Sequence, residues 1–260
     1  MIRKSGSITN KIPPLAAFGV ILGLWFLLTG AGWVPSYMLP SPVSVVTAFI
    51  HDFPTLMYHS GTTLLEAFYG LIIGVAFAFI MATLMDRHET LNRALYPVMV
   101  VTQTIPTVAI APILVLWMGF GMAPKITLVV ITTFFPIAVS LLDGYKSVDA
   151  DAVNLLKTMG ASPWQIFYHV KFPSALPQFF SGLKVSASYA IVGAVIAEWL
   201  GGFEGLGVYM TRVRKAYAFD KMFAVIILIV IISLLLMAVV NLMGSAVMPW
   251  LKAGRSGRSS

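Results

Sequence analysis

The chain contains no cysteine, so it has no disulfides, thiolate metal ligands or cysteine nucleophiles. Histidine is also scarce, and His51, His59, His88 and His169 lie far apart in the sequence. No two of them have the spacing of ligands for one metal ion. We therefore expect no metal site and no cofactor.

Motifs of enzyme chemistry are missing as well. The glycine cluster at Gly201, Gly202, Gly205 and Gly207 has no Gly-Lys-Ser or Gly-Lys-Thr and is therefore not a phosphate loop. The apolar segments contain neither paired carboxylates, nor a histidine beside a carboxylate, nor a Gly-x-Ser-x-Gly elbow. We expect no catalytic residue in this chain.

Charge is sparse, and this fixes the class of protein. Charged residues make up 10% of the chain, against roughly 25% in a soluble globular domain. Hydrophobic residues make up 58%, and the mean hydropathy is +0.89. The apolar runs are continuous rather than alternating, which favours membrane-spanning helices over a barrel. The composition predicts an all-α, polytopic membrane protein.

Six transmembrane helices of about 20 residues each account for the apolar runs. We place them at 15–33, 62–85, 95–118, 123–142, 176–199 and 222–244. Residues 1–260 then form a single transmembrane domain, and residues 253–260 form a flexible tail. Ser41-Pro42 is a helix-start signal, which predicts either an interfacial helix or a plain connector over 40–53.

The basic residues predict which side of the membrane each loop faces. Lysine and arginine accumulate in short cytoplasmic loops. With the N-terminus in the cytoplasm, that side collects Arg3, Lys4, Lys11, Arg87, Arg93, Lys146, Lys157, Lys171, Lys252, Arg255 and Arg258. The outer side then holds fewer, namely Lys125, Arg212, Arg214, Lys215 and Lys221. The net charge of +7 is explained by this asymmetry and by anionic lipid rather than by nucleic acid.

The one long polar segment, residues 145–175, interrupts the apolar sequence on the cytoplasmic side. Asp149 and Asp151 suit the start of a first short helix, which Gly160 closes in a left-handed turn. Ser162-Pro163 suits the start of a second helix, which we expect to end at Pro173. The pattern predicts a projecting knob that docks on a soluble partner. Its predicted contact residues are Asp151, Leu156, Met159, Gly160, Trp164, Phe167, Val170 and Pro173.

The spacing of this segment resembles the loop that marks permease subunits of binding-protein-dependent ABC importers. In that family the pattern is Glu-Ala-Ala, three residues, Gly, nine residues, Ile, one residue, Leu-Pro. Gly160, Val170, Phe172 and Pro173 match it, whereas Asn154, Leu155 and Leu156 replace Glu-Ala-Ala. The resemblance implies that this cytoplasmic coupling-helix loop docks on an ATP-binding subunit, which hydrolyses ATP. It further implies two ATP-binding subunits, an extracytoplasmic substrate-binding protein, a second permease copy in a homodimer, and location in the bacterial inner membrane.

A second stretch narrows the resemblance. The stretch AEWLGGFEGLGVYM and the helix start at Ser41-Pro42 resemble the nitrate, sulfonate and taurine branch of these permeases. The resemblance covers roughly residues 35–245. LLKTMGASPWQIF is most similar to permeases for pyrimidine precursors of thiamine. The implied function is ATP-driven import of such a precursor, or otherwise of a sulfonate, taurine or nitrate. The alternatives are an ion-coupled secondary transporter, which needs acidic residues at the midplane, and a membrane enzyme or scaffold.

Polar residues within the apolar runs are candidates for a translocation path, because a polar group at bilayer depth is costly. Gln103 and Thr104 precede Pro106, which breaks the regular helix, while Ser186 and Tyr189 lie in the fifth predicted span. Their alternative role is helix packing. We expect Glu66 and Glu198 to lie at the outer ends of their spans, where interfacial water solvates a carboxylate. Glu198 is equally suited to the path.

Overall fold

The structure, a computed structural model, describes residues 12–250. The described residues contain no strand. The helices are α1 (Ile12–Gly30), α2 (Pro42–His51), α3 (Phe53–Arg87), α4 (Glu89–Thr104), α5 (Thr107–Met118), α6 (Met122–Lys146), α7 (Ala150–Thr158), α8 (Pro163–Ile166), α9 (Phe172–Glu198), α10 (Leu206–Lys215) and α11 (Phe219–Val247). A π-helical segment, Phe167–Lys171, joins α8 to α9. The predicted tail at 253–260 and the terminal basic residues lie outside the described residues.

Four of the predicted spans are confirmed as helices of sufficient length and apolarity to cross a membrane. These helices are Phe53–Arg87, Met122–Lys146, Pro163–Glu198 and Phe219–Val247. The first predicted span corresponds to α1, whose apolar part, Ala16–Gly30, is shorter than the roughly 20 residues of a full crossing. The count of six therefore stays a prediction.

The predicted span at 95–118 is broken at Pro106, the proline expected to interrupt it. The segment forms α4 and α5, which are bent by 99° at a break of two residues. Proline has no N–H to donate and disfavours helical geometry in the residue before it. Ile105, before Pro106, accordingly has extended dihedral angles, φ −79° and ψ 122°. The pair counts as a fifth span if it is a single broken crossing.

Close packing of α6 against α9 depends on glycine. A Cβ atom at Gly144 would lie 2.8 Å from the Cα of Ala175, and one at Gly182 would lie 2.7 Å from the carbonyl oxygen of Pro136. Small residues allow helix backbones to approach closely within a membrane. Around this contact, α3, α6 and α9 bury an apolar core that includes Ile137, Leu141, Leu142, Met85, Ala187 and Tyr145.

The described residues pack as two units. One comprises the residues up to Met57 together with Tyr209–Leu228, and the other comprises Tyr58–Val208 and the residues from Ile229. In the first unit, the Ser41 hydroxyl caps α2 by accepting from the backbone N–H of Ser44 at 3.1 Å. The segment 40–53 thus contains a helix, one of the two predicted alternatives, and Val45 and Ala48 of this helix are buried. All contacts of the polar segment described below lie in the second unit.

Candidate functional site

Side-chain caps define both short helices of the polar segment, as predicted. The Asp149 carboxylate accepts from the backbone N–H of Asp151 at 2.9 Å at the start of α7. At the start of α8, Ser162 and Gln165 each accept from the other's backbone N–H, at 3.3 and 2.7 Å. This reciprocal capping box satisfies two donors that a helix start leaves unpaired. Asp151 itself is exposed.

Gly160 terminates α7 in the predicted left-handed conformation, with φ +82°. Its N–H donates to the Lys157 carbonyl, and the Ala161 N–H donates to the Leu156 carbonyl, each at 3.0 Å. These two bonds form a Schellman motif, which requires a residue that tolerates positive φ. The turn between the two short helices is therefore fixed by local hydrogen bonds.

The prediction that the second helix ends at Pro173 is wrong. The helix from Pro163 continues through the π-helical segment to Glu198, and Pro173 and Val170 are half-buried within it. The Phe172 N–H donates to the Phe167 carbonyl, five residues earlier. This shift of register just before Pro173 places the residue that lacks an N–H where the regular helical bonds are already interrupted. The second half of the polar segment is thus continuous with a membrane-spanning helix.

Large apolar side chains are exposed on the polar segment. Met159 is 73% exposed and Trp164 is 66% exposed, so both side chains are accessible to a partner. Leu155 and Tyr168 are also exposed, at 61% and 60%, and are not among the predicted contact residues. Phe167 is half-buried, as is Leu156. The Phe167 ring lies 5.6 Å from that of Trp164 and 5.5 Å from that of Tyr145 in the core, so it connects the surface to the core.

A cavity of about 200 Å³ lies beside the break between α4 and α5, and we call it the broken-helix cavity. It brings Gln103 and Tyr189, both predicted path residues, to one site although 86 positions separate them. The lining carries no charged side chain; it consists of Thr102, Gln103, Ile105, Thr107, Ile110, Ile131, Thr132, Tyr189, Val192, Gly193 and Ile196. Hydroxyl groups, one amide and branched aliphatic side chains therefore set its chemistry.

The other predicted path residues do not line the broken-helix cavity. Ser186 is fully buried, and its hydroxyl donates to the Thr133 carbonyl at 2.8 Å, which is helix packing between α9 and α6. Thr104 donates to the Val101 carbonyl of its own helix at 2.8 Å. Glu198 is buried in a separate polar cluster.

We call the cluster of Glu66, Glu198, Lys125 and Thr63 the outer network, after the side on which the predicted topology places it. It contradicts the expectation that water solvates Glu66 and Glu198. Both residues are buried, and protein groups take the place of water. Lys125 Nζ donates to Glu66 Oε1 at 2.6 Å. The Thr63 hydroxyl donates to Glu198 Oε1 at 2.7 Å, and the Gly207 N–H donates to Glu198 Oε2 at 2.6 Å.

The outer network holds the start of α10. The N–H groups of Gly205, Leu206 and Gly207 donate to His59 Nδ1 at 3.1 Å, to Thr63 Oγ1 at 2.9 Å and to Glu198, respectively. These groups have no partners within the helix, and a carboxylate is favourable at a helix N-terminus. A Cβ atom at Gly205 would lie 2.2 Å from the Glu198 carboxylate, which explains glycine there.

Asp52 forms a second polar cluster, within the first unit. It accepts from Lys221 Nζ at 2.8 and 3.1 Å, from the Tyr209 hydroxyl and from His51 Nδ1 at 3.0 Å. Burial by itself raises the pKa of Asp52, but these hydrogen bonds and the Lys221 charge lower it from 3.8 to about 2. Burial, followed by the Asp52 hydrogen bond and charge, raises the pKa of Tyr209. Asp52 therefore stays ionised at neutral pH.

Helices long enough to cross a membrane, an exposed apolar knob and an uncharged cavity describe a membrane protein with surfaces available to other molecules. Residues 74–253 match the family of the binding-protein-dependent transport system inner membrane component. The chain belongs to this family and is the permease subunit of an ABC importer, a multi-pass protein of the inner membrane. The alternatives of a secondary transporter and a membrane enzyme are thereby superseded. Membership implies an ATP-binding subunit and a substrate-binding protein as partners.

Comparison with individual proteins agrees with this family assignment. A probable ABC transporter permease of Haemophilus influenzae is 39% identical over 86% of this chain and 92% of its own. The formylaminopyrimidine transport permease ThiX of Halalkalibacterium halodurans is 35% identical over 94% of this chain and 97% of its own. The taurine transport permease TauC of Escherichia coli is 28% identical over 95% of this chain and 91% of its own. In the structure of the MetNI methionine ABC transporter, one chain has the same fold, with a TM-score of 0.59 at 20% identity over 72% of this chain and 91% of that one.

Proposed function

We propose that the polar segment is the surface through which this permease couples to ATP hydrolysis on a separate subunit. The observation that carries the proposal is the exposed pair Met159 and Trp164 beside a turn fixed by Gly160 and the Ser162 capping box. A solvent-exposed tryptophan on a rigid turn is the type of residue that dominates the binding energy of an interface. The assembly proposed is a permease homodimer with cytoplasmic N-termini, two ATP-binding subunits and one binding protein outside.

Alanine substitution of the exposed anchors tests the coupling surface. Trp164→Ala and Met159→Ala together should raise the Kd for the cognate ATP-binding subunit about 30-fold or more, the loss expected for a hot-spot side chain. Phe203→Ala is the matched control, because Phe203 is 79% exposed but lies in the loop predicted to be outside. Unchanged affinity of the double variant, with normal folding, would exclude the polar segment as the coupling surface.

We further propose that the transported solute is an uncharged heteroaromatic compound of the formylaminopyrimidine type. Two observations support this substrate class over a sulfonate, taurine or nitrate. The relative ThiX is more similar to this chain than TauC is, and it matches nearly the full length of both chains. The broken-helix cavity offers hydroxyls and an amide but no cation to an anion, and burying an unpaired anion is strongly unfavourable.

Gln103 tests the path and the substrate class together. Gln103→Leu keeps a similar volume and removes the amide, so uptake of formylaminopyrimidine into proteoliposomes should fall while basal ATP hydrolysis stays normal. Thr104→Val is the control, since Thr104 is adjacent but outside the cavity lining. Transport per folded complex that is equal in the two variants would return Gln103 to a packing role. Uptake of taurine instead of formylaminopyrimidine by the wild type would refute the substrate class.

A further inference from the structure

A cleft of about 310 Å³ lies between the cytoplasmic end of α3 and the polar segment, and we call it the basic cleft. Asp86 and Arg87 of α3 line one side. Lys157, Trp164 and the half-buried Phe167 line the other, together with further residues of both elements. The cleft therefore opens directly beside the exposed apolar anchor Trp164.

Positive charge in the basic cleft is only partly compensated. Lys171 Nζ bonds both oxygens of Asp86, at 3.0 and 2.7 Å, and this pair forms a neutral floor. Arg87 and Lys157 are both exposed, and neither has an ion-pair partner among residues 12–250. Two cations thus flank an aromatic wall, and the one carboxylate in the lining, Asp86, is already paired with Lys171.

The carboxylates of the polar segment cannot supply that missing charge. Asp149 caps its own helix, and Asp151 stands in the first turn of α7, where the helix dipole favours negative charge. Lys157 occupies the opposite, last turn of α7, where the dipole favours a cation. Asn154, between them, presents a neutral amide. The helix dipole therefore offsets the charge of Lys157 only in part, and no carboxylate of the polar segment neutralises the remainder.

We propose that the basic cleft receives an acidic side chain of the ATP-binding subunit, with Arg87 and Lys157 on either side of its carboxylate. This inference rests on the proposed coupling surface and adds the sign of charge that the partner presents. Arginine binds carboxylates in a planar, bidentate geometry, and the apolar wall of Trp164 and Phe167 shields the pair from water. The permease then supplies the cations of this contact and the ATP-binding subunit supplies the anion.

Chemical crosslinking tests the contact directly. A water-soluble carbodiimide joins a lysine amine to a carboxylate only when the two groups touch. In the purified complex with the cognate ATP-binding subunit, we expect a crosslinked peptide that joins Lys157 to an aspartate or glutamate of that subunit. Lys157→Arg keeps the charge but has no reactive amine, so it should bind normally and lose the crosslink. Absence of any crosslinked peptide containing Lys157 from the wild-type complex would overturn the proposal.

Charge reversal provides the second test. Arg87→Glu with Lys157→Glu should raise the Kd for the ATP-binding subunit at least about tenfold at low salt, because two attractions become repulsions. The difference should shrink at high salt, since screening weakens exposed charges. Arg93→Glu with Lys146→Glu makes the same change of charge outside the cleft lining and should alter the Kd less than about twofold. Equal weakening by both double variants would show a general field effect and would overturn the assignment.

The outcomes also separate this inference from the proposed coupling surface and from lipid binding. If the Trp164 and Met159 variant loses affinity while the Arg87 and Lys157 variant does not, the segment docks but the cleft holds no carboxylate. If neither loses affinity, the coupling surface itself is wrong. If charge reversal weakens binding only in nanodiscs that contain anionic lipid, and not in lipid-free detergent, the cleft binds headgroups and the inference fails.

Discussion

The buried ion pair of Lys125 and Glu66 makes a sharp prediction about stability. The two side chains are 5% and 0% exposed, and Glu66 Oε2 has no hydrogen-bond partner among the described residues. Lys125→Met keeps the length and the apolar stem of the side chain but leaves the Glu66 carboxylate buried without a cation. Removal of one partner of a buried pair costs about 3–5 kcal/mol.

That loss is a large part of the total stability of a folded protein, which is about 5–15 kcal/mol. With a shift of about 2–4 °C per kcal/mol for a chain of this size, the Tm should fall by about 6–20 °C. The assay is a thermal melt of the purified permease in detergent, followed by tryptophan fluorescence. The double variant Lys125→Met with Glu66→Gln removes both charges and should recover most of the loss.

The exposed pair of Arg93 and Glu89 is the internal control. Their side chains are 79% and 71% exposed at the same kind of contact, with Arg93 Nε 3.0 Å from Glu89 Oε1. Exposed pairs contribute about 0–1 kcal/mol, so Arg93→Met should shift the Tm by no more than about 4 °C. A Lys125→Met variant that melts at the same temperature as Arg93→Met would refute the reasoning, because Glu66 would then be solvated or protonated rather than left as a buried, unpaired charge.

Three further predictions follow from the same structure. Single cysteines at Ser147 and at the exposed Phe203 should label from opposite faces of intact cells, and labelling from one face would refute the topology. The contribution of Asp52 to stability is complete above its ordinary pKa of 3.8 and is lost as the pH falls through about 2. The Tm of the wild type should therefore drop more over this range than that of Asp52→Asn, as melts at each pH will test. Gly160→Ala should lower the free energy of unfolding by about 1–2 kcal/mol through its positive φ alone, because no atom lies within 4 Å of the added Cβ. Asparagine tolerates that φ, so Gly160→Asn should lose less affinity for the ATP-binding subunit than Gly160→Ala does.

The features that could be predicted from sequence are those that depend on neighbours in the chain. Ser162 caps α8 because its hydroxyl reaches a backbone N–H three residues on, and Gly160 closes α7 because the turn needs positive φ. Both signals are local. The end of the second helix was predicted wrongly because Pro173 usually stops a helix, whereas here the π-helical segment adjusts the register before it.

The outer network could not be predicted, because it joins residues far apart in the chain. Glu66 and Lys125 are 59 positions apart, and Thr63 and Glu198 are 135 apart. Sequence does carry one signal, since Lys125 is a lone charge between two long apolar runs. A lone intramembrane cation needs a buried anion, yet which carboxylate meets it depends on how α3, α6 and α9 pack.

The break between α4 and α5 distinguishes Gln103 from its neighbours Thr102 and Thr104 as a candidate for the path. The last four carbonyls of a helix lack partners within it, and the Thr104 hydroxyl satisfies that of Val101. The Thr102 hydroxyl donates to the Met99 carbonyl at 2.7 Å, so it too is engaged by the backbone. The side-chain amide of Gln103 has no hydrogen-bond partner among the described residues and lines the broken-helix cavity. The two threonines thus offset the cost of ending the helix here, and of the three side chains only the Gln103 amide remains available for a hydrogen bond to another molecule.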